Sequence, residues 1–161
     1  MNDTIRYFNS NDSIERFYLT KIDTSMRTGC ILDFTSHDIM FDFDISEGSA
    51  KDDYIVILSK SPGVQNGLKS ELSVFLKDFY GSIESNNEFT DLELVSLEVR
   101  GILIDSLIEI RSNYTERKSK PNDVTHIYWS KQCGLSAYKT YNNDVWVNHK
   151  VSLNSISPQG N

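Results

Sequence analysis

The side chains able to do chemistry in this chain are few and widely separated. The histidines are His37, His126 and His149, and the cysteines are Cys30 and Cys133. No histidine pair has the i, i+4 or H-E-x-x-H spacing that places two imidazoles on one helix face, so a zinc site would have to be assembled wholly by the fold. His37 precedes Asp38, with Asp42 and Asp44 close behind, and the four resemble a metal cluster on paper. Strand alternation puts Asp38, Asp42 and Asp44 on one side and His37 on the other. Cys133 stands before Gly134, where His126 or His149 would have to reach it to make a nucleophile and base. There is no G-x-S-x-G elbow and neither of the glycine-rich phosphate loops. No cofactor, no metal and no catalytic residue is expected from these patterns.

Carboxylates are the abundant functional group. The chain of 161 residues carries 16 Lys and Arg against 23 Asp and Glu, for a net charge of −7. Residues 1–110 hold 9 Lys and Arg against 20 Asp and Glu, a net −11, whereas residues 111–161 hold 7 against 3, a net +4. An acidic surface repels phosphate backbones and anionic lipid and attracts basic proteins. The expected partner is therefore a basic protein, with no nucleic acid and no membrane as direct ligand. The candidate partner-binding residues are Asp42, Asp44, Glu47, Asp52 and Asp53, continued by Glu98 and Asp105, with Trp146 as an aromatic anchor.

The elements that would position these residues divide into strands, helices and strands. Residues 1–14 are rich in Asn, Asp and Ser and read as a loosely held arm. Glu15–Ile22, Cys30–Phe34, Asp38–Ile45 and Tyr54–Leu58 read as strands, and Ser46–Asp53 as an acidic loop. In Asp38–Ile45 the apolar residues Ile39, Phe41, Phe43 and Ile45 alternate with acids, as in a half-buried antiparallel strand. Ser61-Pro62 reads as a helix start, Leu68, Leu72, Phe75, Leu76 and Phe79 as an amphipathic stripe, and Gly81 as a stop. The run Glu88–Arg111 reads as a central helix apolar on two faces, with Glu98, Asp105 and Glu109 along one wet flank. A β reading competes there, because Val95, Leu97 and Val99 alternate with Ser96, Glu98 and Arg100. Val124–Lys131 and Leu135–Tyr141 read as strands, and Asp144–Val151 as the second arm of a hairpin turned at Asn142-Asn143. The tail 152–161 reads as flexible.

The expected fold is α+β: one domain over 1–161, in which an antiparallel sheet from the N- and C-terminal strands packs against two central helices. No window supplies the roughly 18 apolar residues of a membrane helix, and no leader pattern opens the chain, so a cytoplasmic location with reduced thiols is expected.

The acid-laden Phe41-Asp-Phe-Asp-Ile-Ser-Glu47 stretch with Asp52-Asp53, and the closing Tyr138–Val147 hairpin, resemble the immunity proteins of bacterial contact-dependent and polymorphic toxin systems. That resemblance implies a non-enzymatic inhibitor that binds one cognate toxin, often a basic nuclease, and blocks its active site. Asp42, Asp44, Glu47, Asp52 and Asp53 would then pair with cationic residues of the toxin. Two other readings compete: a nucleic-acid-mimic inhibitor from a phage or mobile element, and a small enzyme or ligand-binding domain that uses Cys133 and a histidine.

Overall fold

The computed structural model describes residues 4–28, 35–45, 52–62, 68–86, 89–113 and 120–151. They form eleven strands: β1 (Thr4–Phe8), β2 (Ile14–Thr28), β3 (Thr35–Ile45), β4 (Asp52–Pro62), β5 (Leu68–Leu76), β6 (Phe79–Ser85), β7 (Val95–Val99), β8 (Ile102–Arg111), β9 (Val124–Ser130), β10 (Gly134–Thr140) and β11 (Val145–Asn148). All pairings are antiparallel, in the order β6-β5-β4-β3-β2-β1-β11-β10-β9-β8-β7. The topology is two meanders, β1 to β6 and β7 to β11, joined by the pairing of β1 with β11.

This overturns the α+β expectation. Strand accounts for 65% of the structure and helix for 3%, and the described residues hold no helix of 7 residues or more. The region read as the first helix is the β5–β6 hairpin, in which the two-residue turn Lys77-Asp78 sets Leu76 opposite Phe79. The region read as the central helix is an irregular segment followed by the β7–β8 hairpin. Arg100 and Gly101 sit there at φ 56° and 74°, the left-handed pair of a two-residue turn whose twist matches its strands. Ser61 and Pro62 end β4, and Asp52 and Asp53 begin it, where a helix start and a loop were expected. The expected N-terminal arm is instead β1, paired on both sides, with Tyr7 fully buried. The strand expected at Cys30–Phe34 and the tail 152–161 lie outside the described residues.

One apolar cluster explains the shape. It unites Tyr7 and Phe17 from β1 and β2 with Val56, Leu72, Val74, Leu76 and Phe79 from β4 to β6, and with Ile108, Ile110, Val124, Ile127, Leu135 and Tyr138 from β8 to β10. Residues from opposite ends of a strand ladder can share one core only when the sheet curls round on itself. The two ends do meet: Asn113 N–H donates to the Tyr80 carbonyl at 2.8 Å. A Cβ added at Gly81 would lie 2.7 Å from the Arg111 carbonyl oxygen. The result is a nearly closed barrel with a packed interior.

Polar contacts pin the interior at one side. Tyr7 Oη donates to the Leu135 carbonyl at 2.9 Å, and Asn148 Nδ2 donates to the same oxygen at 3.1 Å. Tyr138 donates its hydroxyl to the Glu15 carboxylate, which also pairs with Lys77 Nζ at 2.6 Å. Burial first, and the Glu15 carboxylate second, push the Tyr138 phenol well above its ordinary pKa. Trp146 stacks on Tyr138 at 5.9 Å and 8° between planes.

A second cluster lies on the outside of the barrel wall, where Ile104, Leu107, Tyr128, Ala137, Val147 and Val151 pack together with Val95, Leu97, Val99 and Ile102 against them. The β7–β8 hairpin therefore folds down as a flap. Its tip is tied to the β1–β2 turn by Arg100, whose Nη2 donates to the Asn9 carbonyl at 2.6 Å and to Asp12 Oδ1 at 2.9 Å.

Candidate functional site

The flap gives two of the expected acids a common side. Glu98 on β7 stands directly across from Leu103 on β8, and Asp105 follows two residues along the same strand face. All three are exposed, together with Ser96, while Leu97, Val99 and Ile104 turn inward to the outer cluster. Leu103 keeps 56% of its surface in water between the two carboxylates. The geometry is fixed by a bulge: Val95 pairs with Leu107 but Leu97 pairs with Ile104, so Ser96 faces two residues. Ser106 takes the left-handed conformation there, at φ 60°, and Ser96 Oγ donates to Asp105 Oδ1 at 2.7 Å across the irregularity.

Beside this face runs a groove of about 680 Å³ between residues 89–94, β8 and the β9–β10 turn. Its walls include Leu92, Leu94, Ile104, Ile108 and Val151, with Ser130, Cys133 and Ser136 at the β9–β10 end. Leu103 and Asp105 belong both to this groove and to the flap's outward face. The wall at 89–94 is shaped by Ser85, a buried serine whose hydroxyl donates to Asp91 and accepts Phe89 N–H at 2.8 Å. That donated hydroxyl holds the Asp91 carboxyl below its ordinary range. Six non-glycine residues among those described are left-handed. Asp12, Lys77, Phe89, Arg100 and Asn143 lie in connections between strands and Ser106 in the bulge of β8; Phe89 and Ser106 line the groove.

Four of the remaining expected acids come together at one end of the β3–β4 pair. Asp42 and Asp44 lie in β3 and Asp52 and Asp53 in β4, where the register sets Asp44 opposite Asp53, Asp42 opposite Ile55 and Asp52 opposite Ile45. Six strands separate β3 from β7 along the ladder, so these acids and the flap acids are not neighbours in the sheet. Glu47 lies outside the described residues. Trp146 is half-buried against the interior cluster, stacked on Tyr138, and so is not a freely presented anchor. Of the C-terminal aromatics, Tyr141 at the β10–β11 turn is the exposed one, at 59%.

The constellation of Cys133 with a histidine does not form. Cys133 is a free, half-buried thiol at the groove, and its backbone N–H donates to Ser130 Oγ at 3.0 Å. Among the described residues no histidine lines that groove. His126 stacks beside Tyr128 at 6.5 Å, its pKa lowered chiefly by burial, and His149 lies edge-on to Phe8 at 6.4 Å. His37 sits in β3 between Met26 and Lys60 in the register. Among the described residues no three His, Cys, Asp or Glu side chains gather to hold a metal ion. A different carboxylate pair does meet. Partial burial and then the Asp123 carboxylate push the Asp78 carboxyl above its usual range. No membrane-length apolar helix occurs among the described residues.

The groove residues Leu92, Leu94, Leu103 and Ile104 were read from the sequence as faces of a helix, and nothing marked them as a site. The signal that could have found them is the left-handed Arg100-Gly101 turn between two alternating runs. No family model, no curated protein and no solved structure matches the chain.

Proposed function

We propose that this protein is a non-enzymatic inhibitor that docks a cognate, basic protein toxin, of which a nuclease is the favoured kind, against the outward face of the β7–β8 flap. The observation that carries the reading is Leu103, more than half exposed, flanked by the carboxylates of Glu98 and Asp105 on a braced hairpin. An exposed apolar residue ringed by like charge fits a binding surface: the apolar centre is desolvated on docking, and the charged rim steers the partner. A nuclease offers the complement, because its substrate site is lined by cations.

The flap is held to the wall by the outer cluster and at its tip by Arg100, so docking requires little ordering of the backbone. The test is capture of partners from the native host with the wild-type chain and with the Glu98→Lys/Asp105→Lys variant as paired baits. The reading expects a basic protein held by the first and released by the second, whose nucleic-acid-degrading activity falls when the wild-type chain is added. A partner retained equally by both baits, or an acidic one, overturns it.

A further inference from the structure

The groove beside the flap narrows what the partner must present. Leu94 and Leu103, exposed at 53% and 56%, form its lips, and Leu92, Ile104, Ile108 and Val151 line its depth. Its volume of about 680 Å³ falls inside the range of about 300–1,000 Å³ typical of sites that enclose a ligand group. Water held against such a lining is released when an apolar group enters. The lining holds one carboxylate, Asp105, and one lysine, Lys131; Glu98 is exposed one strand away, and Asp91 and Glu93 are exposed beside the lining residues Thr90, Leu92 and Leu94 in sequence.

The decisive feature is continuity. Leu103 and Asp105 face the flap's outward side and the groove at once. A chain that lays cations over Glu98 and Asp105 must therefore cross Leu103 and reach the groove mouth. A small molecule filling the groove would cover Leu94, Leu103 and Asp105 but leave Glu98, which is outside the lining, in water. An occupant of mixed character covers both.

We infer that the groove receives one large apolar side chain, aromatic or branched aliphatic, from the docked protein, and that this anchor is flanked in the partner's sequence by lysine or arginine. The inference rests on the flap reading above and adds the anchor to it. In such an arrangement the cations set the rate of encounter and the buried anchor sets the residence time. Phe89 and Ser106, both left-handed, belong to two of the segments that line the groove, 89–94 and β8.

Three capped pentapeptides separate the two components: Lys-Lys-Trp-Lys-Lys, Lys-Lys-Ala-Lys-Lys and Glu-Glu-Trp-Glu-Glu. Each is titrated into the full-length ¹³C-methyl-labelled protein at low salt, with binding read from methyl chemical shifts. The expected result is that the lysine–tryptophan peptide binds at least about tenfold tighter than the lysine–alanine one, or about 1.4 kcal/mol. It should shift the methyls of Leu94, Leu103 and Ile104, and the glutamate peptide should bind neither element. Leu94→Ser, at an exposed position on the groove's lip and outside the β7–β8 docking face, should reduce the tryptophan preference and leave the alanine peptide's binding intact. Equal binding of the two lysine peptides overturns the anchor while the acidic docking face stands. Binding of the glutamate–tryptophan peptide as tight as its lysine counterpart, or no binding by either lysine peptide, overturns both.

Discussion

Replacing Gly81 by alanine tests whether the sheet closes on itself. At this position β6 passes over the end of β8, and an added Cβ would stand 2.7 Å from the Arg111 carbonyl oxygen, 2.8 Å from Ile110 Cγ2 and 2.8 Å from Phe79 Cζ. The Arg111 contact is to backbone and cannot be relieved by a rotamer change. The strands must separate, which lengthens the 2.8 Å hydrogen bond from Asn113 N–H to the Tyr80 carbonyl. Overpacking of this kind costs about 1–3 kcal/mol, and the weakened hydrogen bond adds up to about 1 kcal/mol. Against this, a less flexible unfolded chain returns about 0.4–1 kcal/mol. The mid-range values give a net loss of about 2 kcal/mol, or about 4–8 °C in Tm for a chain of this size. Urea unfolding followed by tryptophan fluorescence measures the first, a circular-dichroism melt the second, and hydrogen exchange at Asn113 reports the local bond. A variant as stable as the wild type, with Asn113 equally protected, would mean that β6 does not press on β8 and that the barrel is open there.

Tyr138→Phe should cost about 1–3 kcal/mol at neutral pH, because the Glu15 carboxylate loses a donor and, among the described residues, keeps Lys77. The raised phenol pKa has a sign that can be checked: stability is complete below pH 10 and falls above it, as the unfolded chain ionises first, by about 1.4 kcal/mol per pH unit. That alkaline slope should flatten in the variant when urea unfolding is repeated from pH 9 to 11. His126 should titrate below 6.5 in a proton–carbon NMR titration; its lowered pKa favours the neutral ring, so its contribution to stability is lost as pH falls through that window. Asp123→Asn removes the like charge beside Asp78, and an asparagine oxygen can still accept from Lys120 N–H. The Asp78 midpoint should drop toward 3.8 and neutral-pH stability should rise, both readable by NMR titration and denaturant unfolding. Arg100→Ala should leave global stability nearly unchanged, its ion pair with exposed Asp12 being worth about 0–1 kcal/mol, yet speed hydrogen exchange in β7 and β8.

Much of the strand content was legible from alternation in Asp38–Ile45 and from apolar, β-branched and aromatic runs elsewhere. Glu15–Ile22, Asp38–Ile45 and Tyr54–Leu58 fall within strands, Val124–Lys131 overruns β9 by one residue, and Asn142-Asn143 turns a hairpin with Asn143 at φ 65°. The two supposed helices failed for definite reasons. Leu72 and Leu76 share one face of β5, and a two-residue turn sets Phe79 across from Leu76, so a folded hairpin reproduces the 4-then-3 spacing of a helical stripe. In β8 the left-handed bulge at Ser106 shifts the strand's parity by one residue. Ile104 and Leu107 thereby share the outer cluster three residues apart, and Ile108, buried in the interior cluster on the other face, completes the i, i+3, i+4 pattern of a helix. The turn between β7 and β8 carries arginine where Asn or Asp would have announced it. Glu98 and Asp105 were picked out as one strip on a helix flank, and they do share a side, on a hairpin face. The groove was invisible because its walls come from residues 89–94, β8 and the β9–β10 turn, which only the folded topology brings together.

The most direct test of the central claim is stopped-flow association between the full-length chain and the basic partner it captures, measured across ionic strength with wild type and with Glu98→Lys/Asp105→Lys. If the flap is the docking face, the wild-type rate falls steeply as salt rises, and charge reversal slows association by about tenfold or more at low salt. A rate that ignores both salt and the two substitutions would contradict the account and move the binding surface elsewhere on the barrel.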